Sequence, residues 1–328
     1  MTERLDAFMA RANAAYYATR DPFADFTTAP EITQAFGEII GLWAAVVWQS
    51  MGAPAPVLLV EAGPGRGTLM ADALRATGRM VPAFRAALSV HLIETSSRLR
   101  EAQAHRVEAA TWHDDVSTVP GGPAIFIANE FFDALPIRQF VRRAGGWRER
   151  HVSGAGFVEV PAMPDIPVDE AGLPDGALVE SGAAARELAA RLARRLAAQG
   201  GAALLIDYGP EHSAPGESLQ AIRGGRPADP LAAPGEADLT AHVDFAALAR
   251  AAREAGGAVH GPVPQGLFLA RLGLFRRTDA LARTQPRARA LAMLEAARRL
   301  AEPDRMGRLF KAMAICHPAL PAPPGFAE

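Results

Sequence analysis

Glu61 ends the apolar run Val57-Leu58-Leu59-Val60, and three glycines at spacing two follow it in Ala62-Gly63-Pro64-Gly65-Arg66-Gly67-Thr68. A turn of this kind binds rather than reacts. Glycine takes positive φ without strain and lets the backbone lie against a ligand where a Cβ would intrude. Further along, Glu94 closes a second apolar run, while Asp114-Asp115 and Asn129-Glu130-Phe131-Phe132-Asp133 follow two more. Acidic groups beyond successive apolar runs suit a nucleoside, because one carboxylate accepts hydrogen bonds from both ribose hydroxyls. Glu94 is expected to take that ribose role, its alternative being a solvated strand-end carboxylate. Asp114 and Asp115 both lie where an adenine contact is expected, and the sequence does not choose between them.

Spacing identifies the nucleotide. A dinucleotide fingerprint reads G-x-G-x-x-G, and its third glycine would fall at Thr68. The pattern E-x-G-x-G-x-G is instead that of S-adenosylmethionine (SAM) methyltransferases. SAM carries no pyrophosphate, so the helix that begins near Thr68 need not cradle an anion.

The methyl acceptor calls for other groups. If the acceptor is a guanidinium, which is effectively always protonated, a carboxylate has to hold it bidentately and draw electron density onto one nitrogen. Glu130 and Asp133 are the available pair, next to where a transferable methyl would be presented. The alternative is that Asp133 caps the next element and Glu130 is solvated. His242, in Asp238-Leu239-Thr240-Ala241-His242-Val243-Asp244-Phe245, has three open roles: general base, orienting partner of the Glu130 loop, or a structural histidine before a helix whose N-cap is Asp244.

These groups need a strand–turn–helix scaffold, and the chain supplies one. Helical periodicity covers 5–17 and 31–50, the second with Ile32, Phe36, Ile39, Ile40, Trp43 and Val47 on one face. Apolar strands are expected at 57–60, 89–94, 123–129 and 203–208, with a short element at 110–113, a short strand at 259–261 and a last strand at 310–315. Helices are expected at 68–77, 97–106, 183–198, 245–255 and within 267–301. Alternating runs at 137–142, 147–152 and 156–160 predict an antiparallel insert. The stretches 161–176 and 209–238 read as loops, the second folded over the site or mobile.

Composition narrows the partners. A net charge of −2 argues against nucleic acid held by bulk electrostatics. Cys316 is the only cysteine, so neither an intrachain disulfide nor a cysteine-based metal site is expected. Residues 1–10 lack a basic-then-apolar pattern and no apolar run reaches a membrane span. The expectation is a soluble, cytoplasmic protein with no membrane insertion.

Several motifs together carry a family resemblance: Asp25-Phe26-Thr27-Thr28-Ala29-Pro30-Glu31-Ile32, Glu61 through Met70, Asn129-Glu130-Phe131-Phe132-Asp133-Ala134-Leu135-Pro136, Ile206-Asp207-Tyr208-Gly209, Asp238 through Phe245, and Met306-Gly307-Arg308-Leu309-Phe310-Lys311. The chain resembles the MidA-type SAM-dependent methyltransferases, whose eukaryotic members are mitochondrial complex I assembly factors. The resemblance spans nearly the whole chain and departs from the family at 209–238, where little chemistry is visible.

The resemblance implies an α/β class I SAM methyltransferase fold, Rossmann-like, with a seven-stranded mixed sheet. A helical amino-terminal cap at 1–54 would precede a core at 55–328 with inserts near 137–182, 209–240 and 267–305. It implies protein arginine methylation, with a respiratory complex I subunit as the expected substrate. Gly63, Gly65 and Gly67 would pass beside the methionine half of SAM while Glu61 orients the loop. Thr28, in the cap with Thr27 and Glu31, and Asn129 would complete the cofactor site, leaving Glu130, Asp133 and His242 for the acceptor. Two other classes stand beside this reading: a SAM-binding scaffold that holds a partner without transfer, and an NAD-dependent oxidoreductase, which Thr68 disfavours.

Overall fold

Seven segments pair into a central sheet, numbered here among themselves: β1 (Val57–Ala62), β2 (Leu88–Ile93), β3 (Thr111–His113), β4 (Ala124–Asn129), β5 (Gly201–Tyr208), β6 (Ala258–Pro264) and β7 (Phe310–Cys316). The computed structural model describes residues 2–20, 22–25, 27–168 and 172–326, so Phe26 of the 25–32 motif and part of the 161–176 stretch lie outside the described residues. Spatial order is β3-β2-β1-β4-β5-β7-β6. The first five strands run parallel, and β7 is antiparallel to both neighbours. This is the seven-stranded mixed sheet expected from the sequence.

The helices, in chain order, are α1 (Leu5–Thr19), α2 (Ala29–Ile32), α3 (Gln34–Ser50), α4 (Thr68–Met80), α5 (Pro82–Ala87), α6 (Ser97–Ala104), α7 (Ala183–Gln199), α8 (Phe245–Glu254), α9 (Gln265–Arg271), α10 (Leu274–Ala282) and α11 (Arg287–Ala301). Strand residues alternate between two cores. Val57 and Leu59 of β1, Ile125 and Ile127 of β4 and Leu204 and Ile206 of β5 meet α3, α4 and α9–α11. Leu58, Val60, Phe126 and Leu205 point the other way, onto α7 and α8. Each such side chain contributes on the order of 1.5–3 kcal/mol by leaving water, which is why continuous apolar strands end up buried on both faces.

The close approach of α3 to α4 depends on glycine. A Cβ at Gly41 would stand 2.6 Å from the Ala73 Cα. That contact seats α4, whose first turn closes the glycine loop. Where 31–50 was expected to be one helix, the chain breaks at Thr33. Thr33 is extended (φ −156, ψ 133), and its Oγ1 accepts from Ala35 N–H at 3.3 Å as the N-cap of α3.

The amino-terminal segment is divided between two layers. Helix α3 belongs to the main core, whereas α1 buries Leu5, Phe8, Met9 and Ala12 against Ile137, Val152, Ala221 and Leu239 of the inserted segments. Asn13 clips it down by donating to the Ala134 and Leu239 carbonyls (3.0 and 2.8 Å) and accepting from Leu239 N–H (3.1 Å). One inserted sheet holds the antiparallel strands Arg138–Arg143, Gly146–Ser153, Gly156–Pro161 and Leu178–Ser181, edged by Glu3–Arg4. The stretch expected to be a loop at 209–238 carries a hairpin, Gln220–Arg223 and Arg226–Ala228, which joins Asp238–Thr240 in a three-stranded sheet. Its two-residue turn is Gly224-Gly225, both at positive φ, a hairpin signal present in the sequence.

Candidate functional site

A cavity of about 600 Å³ opens at the carboxyl ends of β1 to β4. It brings together Glu61, Gly63, Gly65, Glu94, Asp114, Asp115, Asn129, Glu130 and Thr28. Gly67, Asp133 and His242 do not line it.

At the glycine turn, Gly63, Gly65 and Gly67 have φ of +65, +54 and +78. The space a Gly65 Cβ would need is held by the Phe23 ring, 2.7 Å away, and the Arg66 guanidinium lies 4.3 Å from that ring's centre. Gly67 serves differently. It is the left-handed residue before α4, and a Cβ there would press on Val107 at 3.1 Å, so it shapes the turn from outside the cavity. Glu61 is 3% exposed, and its Oε2 has no hydrogen-bond partner among the described residues. Burial pushes its carboxyl up to about 8, against a favourable bond from the Met70 N–H of α4.

Glu94 is fixed from two sides. Its Oε1 accepts from Ser96 N–H at 2.8 Å and its Oε2 from Gln103 Nε2 at 3.3 Å. Burial raises its carboxyl above the usual range. Gln103, wholly buried on α6, also donates to the Gly65 carbonyl (2.8 Å) and accepts from Trp112 Nε1 (2.8 Å), so it ties the glycine turn to Glu94. Sequence reasoning missed it; the available signal was a polar residue on a helix between two ligand strands. Of the two aspartates, Asp115 is already engaged. Its Oδ1 accepts from Arg191 (2.7 Å) and from the backbone and hydroxyl of Ser117 (2.9 and 2.6 Å), and these bonds hold its carboxyl well below the usual range. Asp114 is largely exposed and meets only Arg100, at 2.6 Å.

Glu130 stands at the other end of the cavity with φ +50, a left-handed conformation that costs a non-glycine residue roughly 1–2 kcal/mol. Its Oε1 accepts from Ala29 N–H (2.8 Å) and from Asn129 Nδ2 (3.1 Å). Thr28 immediately precedes α2, and Glu31 of α2 accepts from Thr68 Oγ1 at 2.5 Å. The amino-terminal segment thereby roofs the cavity, pinned to Glu130 on one side and to α4 on the other.

The strained turn is held from below by Asp207, which the sequence reading quoted without a role. Its Oδ2 accepts from the backbone N–H groups of Phe131, Phe132 and Asp133 (3.1, 2.9 and 3.2 Å), and its Oδ1 from Tyr208 N–H (2.9 Å). Burial pushes Asp207 up to about 7. Asp133 lies behind the wall, raised well above the usual carboxylate range by burial and then by Asp207, Asp238 and Glu130. Asp238, 4% exposed, accepts from Tyr17 Oη at 2.8 Å and is pushed by burial up to about 6. His242 is not brought to Glu130. It is exposed, packs edge-on against Tyr208 (5.5 Å between ring centres) and borders a second recess of about 330 Å³. A strand-end residue reaches the ligand only if the chain leaves the strand towards it, and the Asp238–Thr240 strand turns His242 away.

The family profile described as "putative S-adenosyl-L-methionine-dependent methyltransferase" matches residues 39–263. The chain belongs to this methyltransferase family. The methyltransferase is 34% identical over 357 residues to the fruit fly protein named protein arginine methyltransferase NDUFAF7 homolog, mitochondrial, covering 96% of this chain and 80% of that one. Against human protein arginine methyltransferase NDUFAF7, mitochondrial, the values are 33% over 344 residues, 92% and 76%. A crystal structure from Burkholderia thailandensis, bound to S-adenosylhomocysteine, superimposes with a TM-score of 0.82 at 26% identity, covering 100% of this chain and 91% of that one.

SAM is the cofactor of this methyltransferase, and its own residues fit the group. Two acceptors that are buried and without partners among the described residues, Glu61 Oε2 and Asn129 Oδ1, belong to residues lining the cavity beside the glycine turn. The expectation of a cytoplasmic protein is corrected, because the fruit fly, Xenopus laevis and human relatives are named as mitochondrial proteins. Charge and the lack of an apolar span constrain insertion into a bilayer, not the compartment. No helix among the described residues is long and apolar enough to cross a membrane.

Proposed function

We propose that this methyltransferase methylates an arginine of a partner protein. The observation that carries the reading is the charge at the acceptor end: Glu130 with Asp133, Asp207 and Asp238 behind it, four carboxylates all raised by burial, with Asp133 and Asp207 raised further by their acidic neighbours. A permanent cation with several N–H donors is the ligand that relieves such a cluster. Relatives named as protein arginine methyltransferases point the same way. SAM, when bound, supplies the methyl and keeps the C–S electron pair on its sulfur.

The chain's own residues then have separable tasks. Gly63 and Gly65 give the cofactor a backbone bed, Glu61 holds the turn onto α4, and Glu94 accepts from the ribose. Asp114 reads the adenine, since Asp115 is committed to Arg191 and Ser117. Glu130 uses Oε1 to hold Ala29 and Asn129, which leaves Oε2 for the guanidinium. Asp133 and Asp207 act from behind, through charge and through the loop. The partner fitting the family resemblance is a respiratory complex I subunit.

The test is labelled methyl transfer from SAM to an extract of cells lacking the enzyme, with methylated peptides read by mass spectrometry. Methylarginine on one partner protein is expected. Glu130→Gln should lower that transfer by about 10²-fold, the scale of losing an oriented charged contact in a transition state, with SAM affinity almost unchanged. Label on oxygen, on carbon or on another nitrogen would refute the arginine reading, and binding without any transfer would favour a scaffold.

A further inference from the structure

Methyl transfer to a guanidinium leaves a proton to be lost. As the N–CH3 bond forms and the C–S pair departs with sulfur, the acceptor gains a second positive charge until one of its N–H protons leaves. Glu130 has Oε1 occupied and Oε2 committed to holding the guanidinium, and Asp207 has its carboxylate filled by backbone donors, so neither provides a separate exit for it. The amino-terminal helix does. Tyr17 of α1 lines the same cavity as Glu130, and its hydroxyl donates to Asp238 Oδ1 at 2.8 Å.

We infer that Tyr17 and Asp238 form the proton exit of the reaction: Tyr17 Oη accepts the proton shed by the acceptor nitrogen while its own hydroxyl proton passes to Asp238 Oδ1. The inference rests on the reading of an arginine acceptor. The direction of the Tyr17–Asp238 bond sets the relay, since a hydroxyl that donates to Asp238 keeps its oxygen lone pairs as acceptors. Burial and the two aspartates keep the Tyr17 phenol protonated, so the hydroxyl passes a proton on and does not hold a charge. Asp238 faces Tyr17 from α1 and the carboxylate of Asp25, with no ion pair to a cation among the described residues, while Asp133 borders both it and Tyr17. Pushed to about 6 by burial, it is a carboxylate at neutral pH and basic enough to take a proton.

An independent feature shows that this end of the cavity expects a donor. Asn129 is 7% exposed and lines the cavity, and its Oδ1 has no partner among the described residues. Its amide cannot be turned over, because Nδ2 faces the Glu130 carboxylate. Asn129 and Tyr17 line one cavity and each carries an oxygen able to accept, which suits a ligand rich in N–H groups.

The experiment compares wild type, Tyr17→Phe and Asp238→Asn on labelled transfer from SAM into a degenerate peptide pool with a fixed central arginine. Tyr17→Phe removes one oxygen and is expected to cut kcat by about 10²-fold, with KM and SAM affinity within threefold. Wild-type kcat should rise with pH through about 6 as Asp238 becomes a carboxylate, and that limb should vanish in Asp238→Asn. A readout without turnover is calorimetry of N-acetyl-L-arginine amide binding to the S-adenosylhomocysteine complex at pH 6, in two buffers of different ionisation enthalpy. Wild type should release protons and Asp238→Asn fewer. Normal kcat in Tyr17→Phe, or an unchanged acid limb in Asp238→Asn, overturns the relay while leaving arginine methylation standing. Wild type that labels no arginine peptide overturns the underlying reading. If Asp238→Asn fails to fold, Tyr17→Phe alone decides.

Discussion

Asp207 makes the sharpest test of how this site is built. It is 1% exposed, and its two oxygens accept four backbone N–H groups, three of them from the residues that follow Glu130. Asp207→Ala leaves all four donors without a partner. A buried unsatisfied donor costs about 1–3 kcal/mol, so the loss is roughly 4 kcal/mol or more, a large part of the 5–15 kcal/mol that holds a typical domain folded. That corresponds to a fall in Tm of about 6 °C or more. Asp207→Asn separates the effects, because its single oxygen can still serve the three loop donors and fails only Tyr208 N–H, a loss of about 1–3 kcal/mol. Glu130 at φ +50 relaxes once the loop donors are released. Methyl transfer should therefore fall by about tenfold in the asparagine variant and at least another tenfold in the alanine variant. Scanning calorimetry, SAM titration and labelled transfer on the same preparations measure all three quantities. Because Gly63 and Glu94 do not touch Asp207, SAM affinity should stay within about threefold in Asp207→Asn. Alanine at 207 with a Tm within 2 °C of wild type and normal transfer would refute the reasoning.

Three further outcomes are expected. Gly65→Val places a branched side chain at φ +54 and against Phe23, so calorimetric SAM binding should disappear while circular dichroism stays that of a folded α/β protein; undiminished binding would remove the glycine turn from the cofactor site. Glu94→Ala should weaken SAM at least tenfold, since two charge-assisted ribose bonds are each worth about 1–3 kcal/mol, and an affinity within twofold would make Glu94 a plain strand-end carboxylate. Without ligand, Tm should fall as pH rises from 5.5 to 8.5. Glu61, Asp207 and Asp238 are raised to about 8, 7 and 6, so at these groups the folded protein binds more protons than the unfolded chain and loses that stabilisation as pH passes each value. His91, His113 and His260, lowered by burial, oppose it only at the acid end of the window, and a flat or rising Tm above pH 7 would contradict those burials.

The lining of the cavity at the strand ends was legible because its signals are local. Glu61, the three glycines and Glu94 sit at strand ends where the parallel sheet brings consecutive turns to one edge, and only the placing of Gly67 behind the turn needed coordinates. The strand positions and the double-sided core followed from continuous apolar runs, while the spatial order of the strands did not. The stretch 209–238 was less legible, although Gly224-Gly225 was a hairpin signal, because Gly and Pro mark both turns and unstructured loops.

The acceptor half divides differently. Sequence by itself determined the methyltransferase family and its sheet, through several short motifs along the chain, and the nucleotide and the candidacy of Glu130, through spacing within a few residues. Only the tertiary structure decided that Asp207 clamps the Glu130 turn, that Gln103 joins Gly65 to Glu94, that His242 faces away, and that Tyr17 meets Asp238. Apart from Gln103 and Glu94, nine residues apart, those pairs lie 38 to 221 residues apart in the chain where a contact is made, and their partners are set by how the distant segments fold back over the core. No periodicity encodes such a meeting, because burial, and the carboxylate charge that burial raises, belong to the assembled surface and not to any one segment.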